Sequence, residues 1–278
     1  MTAGEKIQEI RFVTYLAPSI PRALFEALAD HVQRALGRER VLLRVETQIS
    51  GPQKGRECSS FGDDADVAFM CAPSYFWLRE LSPPPVEPLG ALPVFDDRRN
   101  LGRPVYFCDV VVRNDAPIQT FSDLEGGSWA YNDTCSLSGY YSLLNKLAQA
   151  GADESFFEGV FCAGSHLNSM EAVAQGKADA AAIDSNVLNI RLRKEPALRE
   201  RLRVIESWGP FPIQPVVVSS ALHPQLKERL RAAFLTTEED QHTRPILQEF
   251  GLSHFVAAGQ EDYSLDARQD LAAILAAR

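Results

Sequence analysis

Short apolar runs alternate along this chain with longer stretches whose apolar residues recur every three or four positions. The first pattern predicts buried strands and the second amphipathic helices, and their alternation predicts an α/β fold. Glu9–Tyr15 (EIRFVTY) reads as a strand, followed by the loop LAPSIP. Pro21 then opens a helix to Leu36, with Leu24, Leu28 and Val32 stepping along one face. Val41–Thr47 and Asp66–Met70 predict two further strands, Pro73 opens a helix through Leu78, and SPPPVEP at 82–88 reads as a rigid connector. Leu89–Phe95 and Val105–Val112 are the next strands.

A second block follows. Phe121–Gly126 reads as a helical turn, and Ser128–Tyr131, Gly159–Ala163 and Asp179–Ile183 as strands. Between them fall a helix over Ser138–Ala150, with Tyr140, Leu143, Leu144, Leu147 and Ala148 on its buried face, and a helix over His166–Gln175 closed by Gly176. Arg203–Glu206 and Pro215–Ser219 predict two more strands. The last third reads as helical, with Leu226, Leu230, Ala233 and Phe234 on one face and a final helix over Leu265–Ala277.

Composition narrows the function classes. With 278 residues, 45% of them hydrophobic, the chain can bury one large core or two modest ones. The net charge of −9 and the lack of any Lys/Arg block argue against a nucleic-acid partner. An anion would have to be held by local dipoles and donors. Five cysteines (58, 71, 108, 135 and 162) contain no CxxC pair, and their odd number excludes complete pairing within one chain. Cys71, Cys108 and Cys162 lie in apolar runs and read as small buried hydrophobes, which favours a reducing compartment. No stretch reaches the ~20 apolar residues of a membrane span, and MTAGEKIQEIRFVTY has no secretory h-region. The expectation is therefore a cytoplasmic protein as numbered, or a periplasmic one if a signal segment was removed. No metal or cofactor motif stands out.

Four segments carry a resemblance. VVVRNDAPIQTFSDLEGGSWAYNDTCSLSGYYSLLNKL (110–147) is the strongest, joined by ADVAFMCAPSYF (65–76), SHLNSMEAVAQGKADAAAIDSNVL (165–188) and SWGPFPIQPVVVSSALHPQLKERLRAAFL (207–235). In that order they resemble the PhnD-like phosphate/phosphite/phosphonate-binding proteins of ABC importers, which have the type II periplasmic-binding-protein fold. The resemblance implies two α/β lobes with a ligand cleft between them. Lobe one would comprise 1–112 plus 209–278 and lobe two 113–208. An ABC permease would be the partner and a small oxyanion the ligand.

Candidate ligand residues follow from both readings. Ser136, Ser138 and Gly139 open a helix, whose N-terminus attracts anions through unpaired N–H groups and its dipole. The simpler alternative is N-capping by Ser136 or Ser138. The family's loop reads Ser-Thr-Ser-Gly, so Leu137 removes one hydroxyl. Tyr106 matches a family position that contacts the anion, and His166 a family histidine at the start of a lobe-two helix, a donor suited to an oxyanion; the alternatives are a core aromatic and a cap or structural histidine. Tyr15 stands at the C-terminal edge of the first strand, where open α/β sheets bind ligands. Asp184 and Asn186 follow a strand end, and Gln214 precedes another. In aminoalkylphosphonate binders the positions aligned with Asn186 and Gln214 carry carboxylates, and Met70 replaces a tyrosine. A ligand with a neutral or absent tail is thus expected, unless alternation turns Asp184 into the cleft.

Two other classes stay open. Cys135, His166 and Asp184 could form a nucleophile, base and orienter, as in an enzyme of this fold related to thiamin-precursor synthesis, although that group's cysteine-rich motif is missing. A cytoplasmic ligand sensor is the third.

Overall fold

The computed structural model describes residues 8–54 and 64–259. In chain order its elements are β1 (Glu9–Thr14), α1 (Arg22–Leu36), β2 (Arg40–Val45), β3 (Val67–Phe69), α2 (Ala72–Arg79), β4 (Val86–Pro88), β5 (Ala91–Phe95), β6 (Val105–Arg113), β7 (Ser128–Tyr131), α3 (Ser142–Gln149), β8 (Gly159–Cys162), α4 (His166–Ala174), β9 (Ala180–Asp184), α5 (Ser185–Lys194), α6 (Leu198–Arg201), β10 (Leu202–Pro212), β11 (Val216–Ser219), α7 (Pro224–Leu235), α8 (Thr243–Glu249) and β12 (Leu252–Ala257). Two five-stranded sheets result, ordered β2-β1-β3-β11-β4 and β10-β6-β9-β7-β8, with β12 and β5 forming a small ribbon. In the first sheet β1, β2 and β3 run parallel. In the second β7, β8 and β9 do. The remaining strands pair antiparallel.

Burial explains the sequence pattern. β3 and β9 lie inside their sheets and are buried at every residue, so they read as continuous apolar runs (VAF, AAAID) without alternation. α1 buries Leu24, Phe25, Leu28, Val32 and Leu36, and Gly37 (φ 82°) ends it in a conformation open to glycine. α7 buries Leu226, Leu230, Ala233 and Phe234, the face the sequence predicts. Around the first sheet Phe12, Phe25, Phe69, Phe234 and Phe255 stack edge-on and face-on, and in the second lobe Phe121, Trp129, Phe157 and Trp208 do the same.

Several expectations change. The connector at 82–88 ends in the edge strand β4, where a proline costs little because one side of the strand has no ladder to complete. The last third is not all helical: β12 pairs with β5. Its residues Leu252, Phe255 and Val256 pack on the core, which tertiary contact rewards more than local propensity. Ala148 is exposed and Tyr140 only half-buried, because the helix after Ser136 begins with a π-turn over Leu137–Tyr141 that rotates its face. Cys162 is exposed, unlike Cys71 and Cys108, because β8 is an edge strand. α5 escaped the pattern because it is mostly polar, burying only Ser185, Asn186, Val187, Leu188 and Ile190. The expected helix over Leu265–Ala277, and Cys58, lie outside the described residues.

The chain changes sheets twice, at 96–104 and at 213–215. The two crossings are tied together: the Ile213 amide donates to the Pro104 carbonyl at 3.0 Å. Beside them Arg99 bridges Asp97 (2.7 Å) and Asp109 (2.7 and 3.0 Å), and the Ser207 hydroxyl donates to Asp109 at 2.6 Å. The side chains of Asp97 and Asp109 are only 8% and 4% exposed. Arg99→Ala would leave both carboxylates buried with no cationic partner and is expected to cost about 3 kcal/mol. Urea denaturation measures it; a loss below about 1 kcal/mol, the worth of a surface pair, would mean that the knot contributes no more than surface decoration.

Candidate functional site

Parallel strands send their connections out at the C-terminal ends, and here all of those ends face one gap. A cavity of about 30 Å³ sits there. Tyr15–Ile20 after β1, Thr47, Ile49 and Ser50 after β2, and Cys71 after β3 line one side. Asn132, Asp133, Ser136 and Ser138 after β7, Gly164–His166 after β8, and Asp184 and Val187 at the end of β9 line the other. Gln214, on the second crossing, completes the wall. A wider groove of about 540 Å³ adjoins it, sharing Ala17, Pro18, Ser19, Thr47 and Val187.

Hydrogen bonds close the gap from both sides. Ser50 Oγ donates to Asp133 Oδ2 (2.6 Å), the His166 amide to Ser19 Oγ (3.2 Å), the Leu137 amide to Cys71 Sγ (3.2 Å) and Gln214 Nε2 to Asp184 Oδ2 (2.5 Å). Two of these cover backbone N–H groups at the starts of helices, where unpaired donors would otherwise face the cavity.

Of the nine residues singled out in the sequence, Tyr15, Ser136, Ser138, His166, Asp184 and Gln214 line the cavity; Tyr106, Gly139 and Asn186 do not. Ser136 takes its capping role, its Oγ accepting from the Gly139 amide at 3.0 Å. Ser138 Oγ lies 3.0 Å from His166 Nε2. Burial drives the His166 imidazole down to about 3, so the ring is neutral at physiological pH. Its Nδ1 lies toward the Ala182 carbonyl without good hydrogen-bond geometry. Gly139 is needed for space: a Cβ there would lie 1.8 Å from Asn132 Oδ1. Tyr106 is fully buried, packed on Phe211, its hydroxyl beside Ser138 without a well-formed bond. Asn186 is buried in the first turn of α5, and its side-chain amide has no partner among the described residues. Leu137 and Met70 are core residues, so neither forms the cavity wall.

Sequence reasoning passed over Ser19, Ser50, Cys71, Asn132 and Asp133. The signal that could have found them is the strand-end rule already applied to Tyr15, since each follows a parallel strand. Asp133 Oδ1 accepts from the Cys135 amide (2.8 Å) and Oδ2 from Ser50 and Asn132, while burial raises its carboxyl above the ordinary range. Burial raises Asp184 to about 6, against the opposing pull of the Asn186 amide, Gln214 and the Val187 amide. Among the described residues no group of three or more His, Cys, Asp or Glu could hold a metal ion.

This arrangement of two sheets facing one gap matches known proteins. A family model for the periplasmic substrate-binding protein of phosphonate ABC transporters covers residues 10–263. The chain belongs to this family. Its fold is shared with PhnD1 of Prochlorococcus marinus, solved with methylphosphonate (16% identity, TM-score 0.78, 98% of each chain covered). It is shared too with a binding-protein component of a phosphonate ABC transporter from Pseudomonas aeruginosa (17%, 0.76, covering 98% of this chain and 94% of that one). A Xanthomonas citri protein solved with ATP is also similar (18%, 0.67, 98% and 96%). The two-lobed fold expected from the sequence is therefore the fold of the family. No described helix is long and apolar enough to cross a membrane.

The imagined nucleophile does not assemble. Cys135 is 1% exposed, its thiol turns toward the Pro52 carbonyl (3.9 Å), and burial pushes it up to about 12. A thiol so raised is almost wholly protonated near neutral pH. Iodoacetamide at neutral pH is expected to label Cys162 well before Cys135, read by peptide mass mapping. Faster labelling of Cys135 would restore the nucleophile.

Proposed function

We propose that this chain captures a small phosphonate-like oxyanion between its lobes and hands it to an ABC permease, without catalysing a reaction on it. The observation that carries this reading is the small cavity enclosed between the strand ends of two sheets. The Ser136 and Ser138 hydroxyls supply donors there, with the neutral His166 ring against Ser138, in a chain of the phosphonate-binding family. The cavity of about 30 Å³ has room for roughly two waters, the scale of a small head group, and the adjoining groove of about 540 Å³ has room for whatever the head group carries. The raised, averted Cys135 thiol supports binding over catalysis. The net charge of −9 supports a small-molecule partner over nucleic acid. In this reading Tyr15 and Gln214 close on the ligand from the other side, and Asp184 shapes the wall. Tyr106, Gly139 and Asn186 act from behind it.

The lobes divide at the crossings 96–104 and 213–215, so that β6 and β10 go with the second lobe. The limits of 113–208 expected from the sequence would instead leave β6 in the first lobe. With two crossings among the described residues, relative rotation about them is the expected motion.

Two measurements test the reading. Ser136→Ala/Ser138→Ala removes two hydrogen bonds to a charged ligand, and calorimetry should show methylphosphonate or phosphate affinity reduced by about tenfold or more. Unchanged affinity in a folded double variant places the anion elsewhere. Small-angle scattering should show a smaller radius of gyration with saturating ligand than without; an unchanged profile alongside confirmed binding argues against closure by lobe rotation.

A further inference from the structure

The cavity is unusual for an anion site in its charges. Among the described residues lining it there is no lysine or arginine, and there are two aspartates, Asp133 and Asp184. His166 does not redress the balance, since burial keeps its ring neutral. A doubly charged oxyanion placed there would meet two buried carboxylates at short range, with helix-start dipoles and neutral hydroxyls as its only compensation. That is a poor exchange for the water it leaves.

Resting on the oxyanion reading above, we infer that the cleft selects its ligand as the monoanion, with the acidic hydroxyl of the ligand donating to Asp184. The geometry leaves room for one such donor. A carboxylate has about four lone-pair sites. On Asp184, Oδ1 accepts from the Asn186 and Val187 amides (2.7 and 3.4 Å), and Oδ2 accepts from Gln214. One site on Oδ2 remains, at the cavity wall. Asp133 accepts from the Ser50 hydroxyl, Asn132 and the Cys135 amide, and the Ser50 backbone amide stands beside it as a fourth donor. The other way to neutralise the site is a ligand ammonium. That group carries three donors, more than one open acceptor site satisfies, whereas a protonated ligand oxygen brings a single one.

The surroundings of Asp184 reinforce the preference for a proton. Asp109 on β6 adds like charge, Cys108 stands opposite it in the β6–β9 register, and Tyr106 on β6, Cys71 after β3 and His166 at the start of α4 are all uncharged at neutral pH. No described cation lies on the wall to hold Asp184 down, and its carboxyl is raised to about 6 by burial.

The experiment is calorimetric titration of the whole protein with methylphosphonate at about pH 6 and about pH 8, each in two buffers of different ionisation enthalpy. Phosphoryl groups lose their second proton near about pH 6, alkylphosphonates somewhat higher. At the higher pH, binding should take up about one proton, and the dissociation constant should rise about tenfold per pH unit above the second ionisation. Methanesulfonate, a monoanion with no acidic hydroxyl, should bind at least about tenfold more weakly than methylphosphonate at the lower pH. Asp184→Asn keeps a good helix cap for α5, and Gln214 can turn its amide to match. Its uptake of protons should be lost and its pH slope flattened, with folding checked by thermal melting.

Binding without proton uptake, equal affinity for methanesulfonate, or an unchanged slope in folded Asp184→Asn overturns the inference. So does tighter, proton-independent binding of 2-aminoethylphosphonate, which would assign Asp184 to an ammonium. If Asp184→Asn does not fold, the wild-type proton count and the sulfonate comparison decide alone. Absence of any binding by methylphosphonate, phosphite and phosphate at both pH values overturns the oxyanion reading itself.

Discussion

Parallel pairing is the constraint from which the site follows. A parallel strand cannot turn back directly; its chain must leave at the C-terminal end and return through a crossover. Strands β1, β2 and β3 in one sheet and β7, β8 and β9 in the other are parallel, and all six release their loops toward the same gap. The loops bring backbone N–H groups, hydroxyls and amides, and they bring the starts of α3, α4 and α5, whose donors point the same way. A polar cavity at this place is therefore a product of topology. What the individual residues decide is its size, its charge and which donors remain unspent.

The tightest of those choices is the packing of Asn132 against Gly139. Asn132 Oδ1 occupies the space a Cβ would need at 139, and the same glycine lies against the His166 ring. This fixes the helix start, Ser138 and His166 in one block, with Ser138 Oγ and His166 Nε2 in contact. Cys108 and Ser142 brace it from below, both directed at the Ser138 carbonyl. The donors that face the cavity are thus set by a buried frame in the second lobe, while the first lobe supplies partners that follow β1, β2 and β3: Ser19, Ser50 and Cys71. Hydrogen bonds between those loops and the second lobe span the gap, while Lys194 of α5 pairs with Glu249 of α8 outside it.

Most strands and the long helices were legible in the sequence because burial imposes a period. α1 and α7 bury the faces their spacing names, and the all-apolar runs of β3 and β9 are the inner strands. Where burial gives no period, the reading fails. α5 is capped by Asp184 and held by tertiary packing of few apolar residues. β12 is paired by a strand more than 150 positions earlier, a contact no local window contains. Of the site, the residues at helix starts and strand ends were legible since those positions expose donors by geometry. Tyr106 and Asn186 lie behind the wall, Tyr106 packed on Phe211 and Asn186 buried in the first turn of α5, because side-chain direction depends on register and packing, which spacing does not encode.

The departures from the family's loop and tail positions take on a physical meaning in this frame. Leu137 turns its side chain into the core and leaves only its amide at the cavity edge, where Cys71 covers it. In the reading proposed above, the groups left to hold an anion are the Ser136 and Ser138 hydroxyls and the imidazole beside Ser138. None of these is charged. At the same time Gln214, at a position where a carboxylate would be expected for an amine ligand, donates to Asp184 and so uses an amide to hold a carboxylate in place. That carboxylate stands at the end of β9, where it also caps α5. A site built from uncharged donors and a carboxylate with one open acceptor site complements a group that is both acceptor and donor, and a tetrahedral oxyanion carrying a single proton is such a group.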